Sequence, residues 1–218
     1  MGELYLKAKP RMFDLSAEWL AAPIPVQQIG KGRFCTAYRQ LDKPEQVYLV
    51  VKDGDRSKEI LSNCLPIEGP HLPELERMGM MGDAYVWQTR YYERLTAKHK
   101  EAWAQYKILR DLTEKTWPTL QRRANYAYNA WGYDLMAAVV EGLADHCTAK
   151  RLDWWRLHKA LEAVMNSAAD YGASYTFEFA PRNLAVRADG KLILLDPVFD
   201  LDVTAADMAA ARKKARGY

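Results

Sequence analysis

Cysteine is scarce in this chain: three in 218 residues, Cys35, Cys64 and Cys147. An odd, scattered set builds no disulfide framework and favours free thiols in a reducing compartment. No run of about eighteen apolar residues occurs, and no apolar signal-peptide core opens the chain. A membrane partner is therefore not expected, and a cytoplasmic location is. Charge of one sign is also lacking, the net being only +3. The basic residues are dispersed, apart from Arg212-Lys213-Lys214-Ala215-Arg216, which reads as a solvated helix end, so nucleic acid is not an expected partner. The four histidines form no metal set, because His146-Cys147 and His158 lack ligand-pair spacing. Neither a Ser-His-Asp nor a Cys-His nucleophile arrangement stands out, and there is no internal repeat or low-complexity segment.

What is present is ordinary folded-protein material: apolar residues near half, at a length that can bury a core as one unit or two small lobes. The pattern changes near residue 93. Before it, strand signals predict strands over 24–30, 33–41, 47–53, 77–81 and 84–91, with turn chemistry at Asp42-Lys43-Pro44 and a short helix over 56–64. After it, 3.6-residue periodicity predicts helices over 97–115, 118–130, 132–147 and 152–170, the last stopping at Tyr171-Gly172. Trp154, Trp155, Leu157, Leu161, Val164 and Met165 read as the core face of that helix.

Near the C-terminus the run from Asn183 to Asp196 carries Asp189-Gly190 between two apolar stretches, a strong hairpin signal. A two-residue loop would set Asn183 directly opposite Asp196, with Cβ atoms roughly 5 Å apart. Two hard oxygen ligands on a rigid support suit Mg²⁺, which keeps several waters and takes few protein ligands. At the other end, Gly30-Lys31-Gly32-Arg33-Phe34 puts two glycines at a strand-to-strand turn. That turn reads as a plain hairpin or as a loop whose N–H groups approach a phosphate. The apolar run Val47–Val51 ends in Lys52, a position that suits either a snorkelling lysine or a phosphate contact.

Glycine loop, strand lysine, asparagine and aspartate in this order resemble the protein-kinase-like fold. The resemblance runs closest to the early serine/threonine kinases of T7-like bacteriophages, with a Gly-x-Gly-x-Phe-x-x-Ala-Tyr loop and Asp196-Pro197-Val198 after the hairpin. It spans about residues 24–200 and is strong at the two ends. It implies an α+β, two-lobe fold: residues 1–93 as a small antiparallel β lobe with an N-terminal helix, five strands and a short helix, and residues 94–218 as a mostly helical lobe with a catalytic-loop β-hairpin. It implies ATP and Mg²⁺ as cofactors. Gly30 and Gly32 would cover the phosphates, Lys52 would contact them held by Glu59, and Tyr92 would meet the nucleotide at the inter-lobe hinge. Asn183 and Asp196 would hold Mg²⁺. Lys52, Asp196 and Glu178, five residues before Asn183, would be the catalytic set.

Two departures accompany the resemblance. Glu178 stands where the family carries aspartate, lengthening the side chain by a methylene. The residues after Asp196 are too few for a full activation segment and peptide-binding lobe. The reading is therefore a minimal, phage-type, ATP-dependent serine/threonine kinase modifying host proteins. Its alternative is a pseudokinase that binds a host protein without transferring phosphate. A small-molecule phosphotransferase ranks third, since Glu-Phe-Ala-Pro-Arg-Asn lacks the histidine and glycine of that group's catalytic loop. Arg182, next to Asn183, reads as an exposed loop arginine or as a charge near the transferred phosphate.

Overall fold

The computed structural model describes residues 12–17, 20–52, 55–64, 69–123, 131–172 and 174–202. The chain is an α+β protein, with four α-helices and, as the largest β structure, an antiparallel six-stranded sheet among the described residues. Its contacts divide it into two compact units, Met1–Lys58 with Glu74–Tyr91 and Glu59–Pro73 with Tyr92–Tyr218. The second boundary falls within two residues of the expected change at 93. Residues 59–73, expected with the strands, group instead with the helices.

In the first unit, strands β1 (Met12–Leu15), β2 (Ile24–Lys31), β3 (Cys35–Gln40), β4 (Gln46–Lys52), β5 (Leu75–Met81) and β6 (Ala84–Arg90) form the sheet in the order β1-β2-β3-β4-β6-β5. Five of these strands lie where the sequence places them. The sixth, β1, pairs Leu15 with Ile24 and adds an edge that was not expected. No described residue ahead of β2 is helical, and residues 1–11, 18 and 19, on which the expected N-terminal helix could fall, lie outside the described residues. Side chains alternate across the pleat, so Val26, Tyr48 and Val86 fall on one face and pack with Leu15 into a core, with Ile24, Tyr38 and Val50 against it.

Helix α1 (Ser57–Ser62), whose first two residues belong to the first unit and the rest to the second, begins at a turn in which the Asp55 carboxylate accepts the Ser57 N–H. Its buried Ile60 carbonyl accepts the Ser167 hydroxyl at 2.9 Å. Helix α2 (Lys100–Arg123) runs on where a break near 115 was expected, and the end of the expected helix 118–130 lies outside the described residues. Helix α3 (Trp131–Lys150) buries Leu135, Met136, Val139, Val140 and Leu143, and α4 (Trp155–Ala169) buries Leu157, Leu161, Val164, Met165 and Ala168. Both stripes have helical spacing. Trp155 is not on its stripe: it is 57% exposed, which corrects its assignment to the core. Trp154 is half-buried and stacks on His146 at 6.3 Å between ring centroids.

Short strands complete this unit. The order β10-β9-β7 joins Leu192–Leu194, Leu184–Val186 and Glu93–Arg94, while β11 (Val198–Asp200) pairs with β8 (Tyr175–Phe177). The free edge of β10 is covered by the buried His71, whose carbonyl accepts the Leu194 N–H at 2.9 Å. The His71 ring Nδ1 lies 2.8 Å from the Leu192 carbonyl, close enough to donate to it.

Candidate functional site

The β9–β10 hairpin is the local structure on which the metal expectation rests. Its turn is closed by the Gly190 N–H donating to the Arg187 carbonyl at 2.8 Å and by the Arg187 N–H donating to the Lys191 carbonyl at 3.0 Å. The loop is therefore the three residues Ala188, Asp189 and Gly190, with Gly190 at φ +83°. This is a type I turn followed by a left-handed residue, the usual three-residue hairpin connection. The Asp189 carboxylate accepts the Arg187 guanidinium at 3.0 Å and the Lys191 N–H at 3.2 Å. The Arg187 hydrogen bond, ahead of smaller contributions, holds the Asp189 carboxyl below its ordinary pKa.

The third loop residue moves the register by one. Leu184 faces Leu194 and Ala185 faces Ile193, so the residue opposite Asn183 is Leu195, not Asp196 as a two-residue loop would give. A bulge then restores the neighbourhood: the Asn183 carbonyl accepts the N–H groups of both Leu195 and Asp196, each at 3.0 Å. Two residues opposing one is the defining feature of a bulge, a device common next to functional sites. Asp196 is half-buried there.

Glu178 enters from the other small sheet. It follows β8, and its N–H donates to the Pro197 carbonyl at 2.7 Å, extending the β8–β11 ladder by one residue. Its neighbours Phe177 and Phe179 are buried, with ring centroids 5.1 Å apart. Pro181 then opens a single 3₁₀ turn, Pro181–Asn183, closed by the Asn183 N–H on the Ala180 carbonyl at 2.9 Å. That turn brings Asn183, 8% exposed, back beneath Glu178. The Asn183 Nδ2 donates to Glu178 Oε2 at 2.9 Å. The Arg182 guanidinium donates to the other oxygen, Glu178 Oε1.

Three of the expected residues of this unit are thus joined in a ring. Glu178 is tied to Pro197 through the backbone, Asp196 to Asn183 through the backbone, and Asn183 to Glu178 through its side chain. Because the Asn183 NH₂ is committed to Glu178, its Oδ1 is the atom left to accept, as a hard-cation ligand requires. The donor set therefore fits Mg²⁺: an amide oxygen and a carboxylate on adjoining positions of one bulged hairpin. Among the described residues, no group of three or more His, Cys, Asp or Glu side chains is arranged to hold a metal, so water would fill the rest of such a shell.

In the first unit, Gly30 pairs with Ala37 across the β2–β3 hairpin, after a bulge between Gln28 and Gly30. The Gly32 N–H donates to the Cys35 carbonyl at 2.7 Å, so it closes the hairpin and is not turned outward to a phosphate. Lys52 is brought to the same hairpin tip, its N–H donating to the Phe34 carbonyl at 2.8 Å. Lys52 and Gly30 do not share a face, however. The pleat groups Lys52 with Val50 and Thr36, whereas Gly30 goes with Ala37 and Leu49. Of the remaining expected residues, Glu59 lies half-buried in α1 and Tyr92 half-buried at the start of the second unit.

Arg182 is exposed, as one of its two readings had it, but its contact with Glu178 was not expected, although a spacing of four was a visible cue. Fold and site together define an α+β protein whose second unit carries a Glu-Arg-Asn-Asp constellation on a bulged hairpin. No protein-family model matches the chain, and no curated protein matches it significantly. No helix among the described residues is long and apolar enough to cross a membrane.

Proposed function

We propose that the chain is a minimal, two-lobe protein-kinase-like phosphotransferase of the phage type, acting with ATP and Mg²⁺ on serine or threonine hydroxyls of host proteins. The observation that carries this reading is the ring just described, in which Asn183 holds Glu178 by its side chain and Asp196 by its carbonyl. It places the carboxylate implied for the acceptor hydroxyl and the two implied cation ligands on one rigid framework.

In this reading Glu178 receives or orients the hydroxyl proton of the acceptor. Its side chain is 36% exposed, and each oxygen of a carboxylate can accept a second hydrogen bond beside the one it already has. Asn183 Oδ1 and Asp196 would hold Mg²⁺, which when bound supplies neutralisation of phosphate charge. Lys52 and Gly30 are assigned to the phosphates, with Glu59 and Tyr92 as supporting contacts; the Gly32 N–H is spent on the Cys35 carbonyl, and Lys52 would have to reach round the end of its strand. Positioning and charge carry most of phosphoryl transfer, which tolerates an imperfect base.

Two observations favour a second reading, a pseudokinase that binds a host protein without transferring phosphate. Both Glu178 oxygens are already engaged, and Lys52 and Gly30 lie on opposite faces of their sheet. Incubation with Mg²⁺ and γ-labelled ATP, with and without host lysate, separates the two. Label that appears with the native chain and vanishes in Asp196→Asn and Lys52→Ala supports the kinase. No label, with ATP still raising the melting temperature, supports the pseudokinase. No label and no stabilisation by ATP removes the kinase and any nucleotide-binding pseudokinase.

A further inference from the structure

We propose that Arg182 is a positioning residue for Glu178: together with Asn183 it holds both carboxylate oxygens and so makes a glutamate serviceable where the kinase pattern has an aspartate. This inference rests on the proposed function. The extra methylene of glutamate carries the carboxylate about 1.5 Å further from the backbone and adds a freely rotating torsion. A partly exposed glutamate with no partners would spread over several rotamers. Here the Arg182 guanidinium takes Oε1 and the Asn183 amide takes Oε2 at 2.9 Å, so the carboxylate plane and its last torsion are set from both sides.

The two donors are themselves placed by the backbone. Pro181 has its φ set by its ring and opens the turn that contains Arg182 and Asn183. The Asn183 N–H is anchored on Ala180 and the Glu178 N–H on Pro197. The Arg182 side chain is 72% exposed, so it serves no core, and its contact with Glu178 is the interaction its position supports. A planar guanidinium presents donors in a fixed direction, whereas a lysine ammonium offers a point charge without that geometry.

The test uses the full chain with Mg²⁺, ATP and a generic acceptor protein, comparing the native sequence with Arg182→Ala, Arg182→Lys, Glu178→Asp and the double variant Glu178→Asp/Arg182→Ala. Side-chain amide signals of Asn183 are recorded in parallel by ¹⁵N NMR. Loss of the hold should lower kcat of Arg182→Ala on the order of 10²-fold, leave KM for ATP unchanged, and place Arg182→Lys between the two. In the Glu178→Asp background, removing Arg182 should cost much less, because the shorter carboxylate does not need it. The Asn183 amide signals should move towards those of a free amide in Arg182→Ala. Native kcat in Arg182→Ala, an equal loss in both backgrounds, or an unmoved Asn183 amide each overturns the proposal. A native chain that transfers no phosphate removes the proposed kinase instead. The hold is then decided by the amide signals alone, a shift supporting it and no shift overturning it.

Discussion

Asn183 and Asp196 meet through the backbone: the Asn183 carbonyl accepts the Asp196 N–H at 3.0 Å, beside the same bond from Leu195. The carboxylate of Asp196 is thereby set by a bulge, not by direct cross-strand opposition. Replacing it with an amide keeps the size and removes the one negative charge of the proposed ligand pair Asn183 and Asp196. Asp196→Asn should therefore leave the fold intact and abolish transfer of labelled phosphate. Glu178→Gln should lose about 10²–10⁴-fold, the contribution of a general base, and Glu178→Asp should retain activity or raise it. Transfer at the native rate by Asp196→Asn would remove this residue from the site.

The hairpin that carries the bulge depends on one backbone conformation. Gly190 stands at φ +83°, and nothing lies within 4 Å of where its Cβ would be. Space is thus no obstacle to a larger residue, and the cost is conformational. A non-glycine L-residue in the left-handed region costs roughly 1–2 kcal/mol. Gly190→Ala should lower stability by about that much in urea unfolding, and Gly190→Asn by less, since asparagine tolerates the region better. An unchanged midpoint for Gly190→Ala would mean that the turn relaxes to another type.

How much was legible follows from which interactions are local. Strands β2, β3, β4, β5 and β6 and the hairpin ends were readable because strand-forming apolar runs and turn residues act within a few positions. The register was not. Asp-Gly serves a two-residue loop at its centre and a three-residue loop at its end equally well, and only Ala188 joining the loop decides between them. The bulge at Leu195–Asp196 answers that shift from the far end of the strand, beyond the reach of local pattern. Strand β1 is four residues long, too short to show a period. Glu178, Asn183 and Asp196 were singled out by order and spacing, and the structure ties them to one another, while the Arg182 contact depends on the 3₁₀ turn that Pro181 opens.

Trp155 marks the same limit on a helix. At about 100° per residue, Trp155 points about 150° away from the centre of the stripe of Leu157, Leu161, Val164 and Ala168, on the opposite face of the helix, while Trp154 is the residue before its first turn. With 57% of its surface exposed and the Arg156 guanidinium 5.4 Å from its ring centroid, Trp155 contributes little burial. Trp155→Ala should change stability by no more than about 0.5 kcal/mol, whereas Leu161→Ala, fully buried, should cost about 2–5 kcal/mol. Guanidinium unfolding of the two variants side by side checks the contrast. A large loss for Trp155→Ala would return that residue to the core.

His71 makes stability depend on pH with a definite sign. Burial is the main cause that holds its pKa below the ordinary 6.5. The bond to the Leu192 carbonyl opposes that shift, while Lys191 and Arg187 add to it and Glu101 opposes it. The folded chain therefore keeps the ring neutral where the unfolded chain would already bind a proton. Above about pH 6.5 neither state is protonated and the contribution to stability is complete. As pH falls through that value towards the lower folded pKa, the unfolded state gains the proton first and stability is lost; below the folded pKa no more is lost. Asparagine at 71 offers an Nδ2 donor for Leu192 and does not titrate. Urea midpoints measured from about pH 7.5 to pH 5 should therefore fall less steeply for His71→Asn than for the native chain. Equal slopes would mean that His71 titrates alike in both states and that the seal on β10 does not depend on its neutral ring.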